Sequence, residues 1–120
     1  MDFRQVSLVR SDRHPNLILV RGTIEGRPVL IQLNTGKSRT VLNPTLAGEL
    51  GLRRGLTGVA IKSLQIGNLL FRVRSAKKVD QTGIDPTLPD PILVGIGSDI
   101  LSRFVWTVDY DAGVLWIPYP

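Results

Sequence analysis

The sequence predicts a mostly β, barrel-like fold with one or two short helices. Short apolar, β-branched runs recur between turns rich in Gly, Pro, Asn and Asp, and the helical signals span only a few residues each. Residues 17–24 (LILVRGTI) and 28–33 (PVLIQL) read as a hairpin around an EGR turn. A TVL strand follows at 40–42, then Asn43-Pro44 supplies an N-cap and a proline at the first helical position. TLAGEL continues that helix for one or two turns, and Gly51 ends it. Residues 59–66 and 69–75 flank Gly67-Asn68 as a second hairpin. The stretch 81–91, QTGIDPTLPDP, is a loop. An apolar ILVGIG strand then runs into Ser98, the expected N-cap of a short helix over DILSR. FVWTVDY, a DAG turn at 111–113 and VLWIP make a third hairpin. Residues 17–120 form one domain without a fixed repeat or dividing linker, and residues 1–16 an N-terminal segment with no assigned element.

At 120 residues the chain is long enough to bury roughly two-thirds of the surface its unfolded form exposes. It is 42% hydrophobic and 21% charged, with no apolar run near the length of a membrane span, so a soluble domain is expected. The opening MDFRQVSLVRSDRHPN shows no signal-peptide h-region, and the compartment is not legible. The absence of cysteine excludes disulfides, thiol catalysis and thiolate metal sites, and His14 is the single histidine, so no zinc cluster is expected. The formal net charge is +5, with the densest basic patch at Arg72, Arg74, Lys77 and Lys78 around Phe71 and Val73, as on an outward strand face. Base-stacking aromatics are few, so the basic surface reads as solvated and nucleic acid is not an expected partner.

The chemistry concentrates in LNTGKS, residues 33–38. Its GKS could end a phosphate-binding loop, but the first glycine of such a loop would fall at Ile31, and RTVLNP rather than a long helix follows Ser38. The alternative is a strand that ends in a tight, glycine-containing turn. The run VLIQLNTGKSRTVLNPTLAGELGL resembles the first half of retropepsin-like aspartic proteases, where an apolar strand delivers an Asp-Thr-Gly turn. ILVGIGSDILSRFVWTVDYDAGVLWI resembles their second half, and the two segments stand in the right order.

That resemblance implies an acid-protease β-barrel with one lobe per chain, acting as a homodimer on a peptide or protein substrate without a cofactor. Two carboxylates close together share one proton, so one activates a water while the other protonates the peptide carbonyl. One chain carries one such turn, and a second copy supplies the other. The resemblance puts Asn34 at the catalytic aspartate position and Thr35 across the two-fold axis. Gly36 permits the close turn, and Ser38 matches the residue that bonds the outer aspartate oxygen. Gly97 matches the glycine packed behind the turn, and Asp99 and Leu101 match an acidic and an apolar position of the following helix; both also fit plain structural roles, as a local cap and as core. Lys37 stands where a small residue is usual and would put a cation in a substrate's path.

Asn34 changes the expected chemistry, because a side-chain amide does not titrate near neutral pH and can serve as neither general base nor general acid. The chain as written is expected to be inert towards peptides. Either an aspartate has been exchanged for asparagine here, or the protein is a pseudoprotease that binds peptide or joins two chains without cutting. RRGLTG, at 53–58, is long enough only for a stub of the flap that closes over a peptide in this family.

Overall fold

A computed structural model describes residues 3–118. Residues 1–2 and 119–120, the outer ends of the two segments assigned from the sequence, lie outside the described residues. The elements in chain order are β1 (Phe3–Val9), β2 (Ile18–Ile24), β3 (Arg27–Leu33), β4 (Val41–Leu42), α1 (Pro44–Glu49), β5 (Val59–Ile66), β6 (Leu69–Lys78), β7 (Ile92–Ile96), α2 (Ser98–Leu101), β8 (Thr107–Asp109) and β9 (Val114–Pro118). Strands pair in the order β3-β7-β4-β6-β5-β2, and β2 pairs back onto β3, which closes a six-stranded barrel. A side ribbon of β1, β9 and β8 continues from β2.

The turns follow from their residues. Glu25 and Gly26 both have positive φ (50° and 80°), the requirement of the two-residue type I′ loop that matches strand twist. The Glu25 carboxylate then accepts from the N–H groups of Lys62 (2.7 Å) and Ser63 (2.9 Å), fastening this turn to β5. In α1, Asn43 Oδ1 accepts from the Leu46 N–H at 3.1 Å, and Pro44 occupies the first turn. The helix closes in a Schellman arrangement at Gly51 (φ 60°), whose N–H donates to the Gly48 carbonyl while that of Leu52 donates to the Ala47 carbonyl.

The main core fills the barrel with residues such as Val20, Ile24, Leu64, Phe71 and Ile96, and Leu46 of α1 and Ile100 of α2 close it. Leu19, Leu30 and Ile92 are buried on the outer face, beneath Ile84 and Leu88 of the 81–91 loop. That loop is therefore a cover, and it is anchored: Ser11 donates to Asp85 Oδ2 at 2.5 Å, and Thr87 donates from N–H and hydroxyl to Asp85 Oδ1 at 3.0 and 2.5 Å.

Three local expectations change. The N-terminal segment contains β1, which pairs antiparallel with the start of β2 and with β9; β2 has room because β5 occupies only Thr23 and Ile24 of that edge. The strand expected over FVWTVDY shrinks to Thr107–Asp109, because Phe104 and Trp106 turn in to pack with Phe71 and the Trp106 indole N–H donates to the Leu101 carbonyl at 2.8 Å. The N-cap of α2 is Gly97, not Ser98: the backbone is extended at Gly97, whose carbonyl accepts the first helical bond from the Leu101 N–H at 3.0 Å, and Gly97 brings no side chain to cap the helix.

Candidate active site

β3 and β7 run parallel as neighbours, with Leu33 opposite Ile96, so their C-terminal ends bring the two glycine-containing turns together. The Asn34 N–H donates to the Ile96 carbonyl at 2.9 Å, and the Ser98 N–H donates to the Lys37 carbonyl at 2.7 Å. Within the first turn, the Lys37 N–H returns to the Asn34 carbonyl (3.2 Å) and the Gly36 N–H donates to Asn34 Oδ1 (2.9 Å), an Asx-type turn. Gly97 lies directly behind: a Cβ there would sit 2.7 Å from the Arg39 carbonyl carbon and oxygen and 2.8 Å from the Lys37 oxygen. Only glycine lets the two backbones approach so closely.

Asn34 and Lys37 are half-buried, while Thr35, Gly36 and Ser38 are exposed. No hydrogen bond joins Ser38 to Asn34 among the described residues, and the amide oxygen of Asn34 accepts from the Gly36 N–H. Leu101 is core, packed under the turn with Ile100. Asp99 does more than cap its helix: it accepts from the Thr40 N–H (3.0 Å) and hydroxyl (2.9 Å) while Oδ1 also accepts from the Ile100 N–H (3.0 Å). Thr40 is wholly buried, so this carboxylate ties the chain leaving the turn to α2.

Arg39 and Thr40 are the residues that sequence reasoning passes over. The Arg39 guanidinium donates through Nη2 to the Thr57 carbonyl (2.7 Å), the Ser75 carbonyl (3.1 Å) and Ser75 Oγ (2.9 Å). Residues 53–60 form the stub that the sequence allows: Gly55 N–H donates to the Gly58 carbonyl (2.7 Å), Ala60 N–H to the Arg53 carbonyl (2.9 Å), and Leu56 at the tip is fully exposed. Arg39 thus pins the stub to the barrel wall beside the turn.

Next to Thr35 an open cleft of about 470 Å³ runs between Leu33, Leu101, Phe104, Trp106 and the exposed Val105. Its lining is almost wholly apolar apart from Thr35, Ser98 and Ser102. No group of three or more His, Asp or Glu that could hold a metal occurs among the described residues, and no helix there is long and apolar enough to cross a membrane.

No family model and no curated protein matches the sequence. The structure is similar to the crystal structure of a retropepsin-like aspartic protease from Rickettsia conorii, with a TM-score of 0.65 and 17% sequence identity over 98% of this chain and 92% of that one. The fold is therefore retropepsin-like, and at that identity the likeness defines the fold alone.

Proposed function

We propose that this chain is one half of a homodimeric aspartic endopeptidase domain of the retropepsin type, held inert by the amide at Asn34. The observation that carries the reading is the turn itself: Asn34-Thr35-Gly36 stands at the end of a buried strand, hydrogen-bonded to Ile96 and backed by Gly97. That is a rigid mount for a side chain aimed at a partner. The apolar cleft beside Thr35, with Val105 66% exposed, supports a second copy packing there so that two turns face each other across a two-fold axis. The domain of residues 17–120 would then take β1 of the N-terminal segment as an added strand.

With Asn34 on both sides the site has neither a base to activate water nor an acid to protonate the carbonyl. The loss is at least about 10²-fold in rate. Asn34→Asp restores a carboxylate pair that shares one proton, and peptide hydrolysis should then appear with an optimum in mild acid. Incubating both forms with a peptide library and sequencing the products by mass spectrometry tests this. An Asn34→Asp dimer that cleaves nothing would sink it.

A second reading, a non-catalytic peptide-binding or dimerisation module, is favoured by the pinned 53–60 stub, which is too short to fold over a peptide. On that reading peptide binding survives Asn34→Ala, and Lys37, at the edge of the turn, steers acidic residues of the ligand.

A further inference from the structure

Charge is segregated along this chain. Residues 50–79, which hold the stub, β5 and β6, contain seven Lys or Arg and no Asp or Glu; the remainder, with eight basic and ten acidic residues, is net negative. β6 alternates cleanly, with Phe71 and Val73 buried and Arg72 and Arg74 exposed, so the cations stand on one outward face. Lys62 of β5 joins Arg72 and Arg74 around a depression of about 430 Å³ with Ala60 at its base, while Ile61 and Val73, which also border it, turn their side chains into the core. A second depression, about 410 Å³, shares Ala60 and Lys62 with the first and extends it past Arg53 to Leu50 and Leu52. Together they make one furrow whose apolar floor is Ala60, Leu50 and Leu52 and whose rim is cationic.

Like charges on adjoining strands destabilise a sheet, and nothing local offsets them here. Among the described residues the ion pairs join Arg21 to Asp90 and Arg27 to Glu49, and neither reaches the furrow. The one acid at its edge, Glu25, has its carboxylate occupied by the Lys62 and Ser63 N–H groups. We propose that this furrow on the β5–β6 face binds an extended acidic polypeptide segment, with apolar side chains on the floor and carboxylates on Arg53, Lys62, Arg72 and Arg74. The concave apolar floor selects a peptide over a flat lipid surface. The lack of any exposed aromatic in 50–79, where Phe71 is buried, removes the stacking platform a single nucleic-acid strand would use. The furrow shares no residue with the Asn34 turn, and binding there does not rest on catalysis or dimerisation.

The test is fluorescence anisotropy on the full chain with a labelled peptide alternating Glu and Val, its Lys-for-Glu counterpart, a DNA duplex and phosphatidylserine vesicles. The acidic peptide should bind, and more weakly as salt rises. Arg72→Gln with Arg74→Gln should weaken it about tenfold. Lys77→Gln with Lys78→Gln, the same charge change on the same strand but outside the furrow, should leave it nearly unchanged. Equal loss in both double variants reduces the effect to net charge and overturns the proposal, as does tighter binding to duplex or vesicles than to the acidic peptide. Circular dichroism melts of both double variants confirm that a loss of binding is not a loss of fold.

Discussion

Thr40 gives both of its hydrogen-bond donors to one carboxylate, that of Asp99, with the N–H 3.0 Å from Oδ2 and the hydroxyl 2.9 Å from Oδ1. Because Thr40 has no exposed surface, water cannot replace either bond. Thr40→Val keeps the shape and removes the hydroxyl, so Asp99 loses a charge-assisted partner. The variant should be less stable by about 1.5–3 kcal/mol, seen as a lower urea midpoint at unchanged slope. A change under roughly 0.5 kcal/mol, the scatter of ordinary surface substitutions, would mean that the pair does not hold the turn.

Gly97→Ala and Gly48→Ala should move stability in opposite directions. At Gly97 the added methyl meets the Arg39 and Lys37 backbone at 2.7–2.8 Å, and backbone cannot rotate out of the way. The turn must shift, at a cost of about 1–3 kcal/mol. At Gly48, inside α1, nothing lies within 4 Å of the new Cβ, so alanine should stabilise by roughly 0.5–1 kcal/mol through helix propensity. Thermal melts of the two variants decide it, and equal shifts would remove the close approach behind Asn34 as a design constraint. In an Asn34→Asp background, Gly97→Ala should also depress any cleavage gained, since the turn that holds residue 34 moves with it.

The parts of this molecule that were legible in the sequence are those whose cause is local. Glu25-Gly26 and Gly67-Asn68 announce turns because each needs a glycine at positive φ, and Asn43-Pro44 announces a helix start because the capping oxygen lies three residues from its donor. The Asn34 turn and Gly97 could be paired through a family resemblance, which carried the non-local contact that spacing alone does not. β1 was not legible: its partners in β9 lie more than a hundred residues away, and its residues are mostly exposed or half-buried. Arg39, Thr40 and Gln81 were missed for the same reason. Gln81 sits in a loop by composition, yet its side chain is buried, donates to Gln32 Oε1 at 3.0 Å, and fills the space that Gly95 leaves. That contact also accounts for glycine at 95, where a Cβ would sit 2.7 Å from Gln81 Oε1.

Arg39 should control the mobility of the stub rather than the stability of the barrel. One guanidinium nitrogen serves the Thr57 carbonyl and both Ser75 oxygens, and Thr57 Oγ1 adds a 2.7 Å contact to Ser75 Oγ. Arg39→Ala removes the clamp and leaves the two backbone bonds, Gly55–Gly58 and Ala60–Arg53, with only the Thr57–Ser75 hydroxyl contact to hold the stub. Two such bonds in a short exposed hairpin are marginal, so the amides of Gly55 and Ala60 should exchange hydrogen faster by about tenfold or more, while those of β3 and β7 stay protected. Unchanged exchange at Gly55 would show that the stub needs no anchor.

Acid should loosen the 81–91 cover before it unfolds the barrel. Hydrogen bonds to Asp85 from the Ser11 and then the Thr87 hydroxyl hold its carboxyl below the usual carboxylate range, against the opposing effect of burial. A carboxyl with a depressed folded value binds fewer protons when folded than when unfolded, so stability rises with pH between the two values. Its contribution is complete above the unfolded value of about 3.9 and fades as pH falls through the lower folded one. Asp85→Asn keeps the shape and removes the charge. The gap in melting temperature between the two proteins should therefore be widest near neutral pH and close as the solution is taken below about pH 4. A gap independent of pH would show that shape at this position, not the ionised carboxylate, holds Ser11 and Thr87.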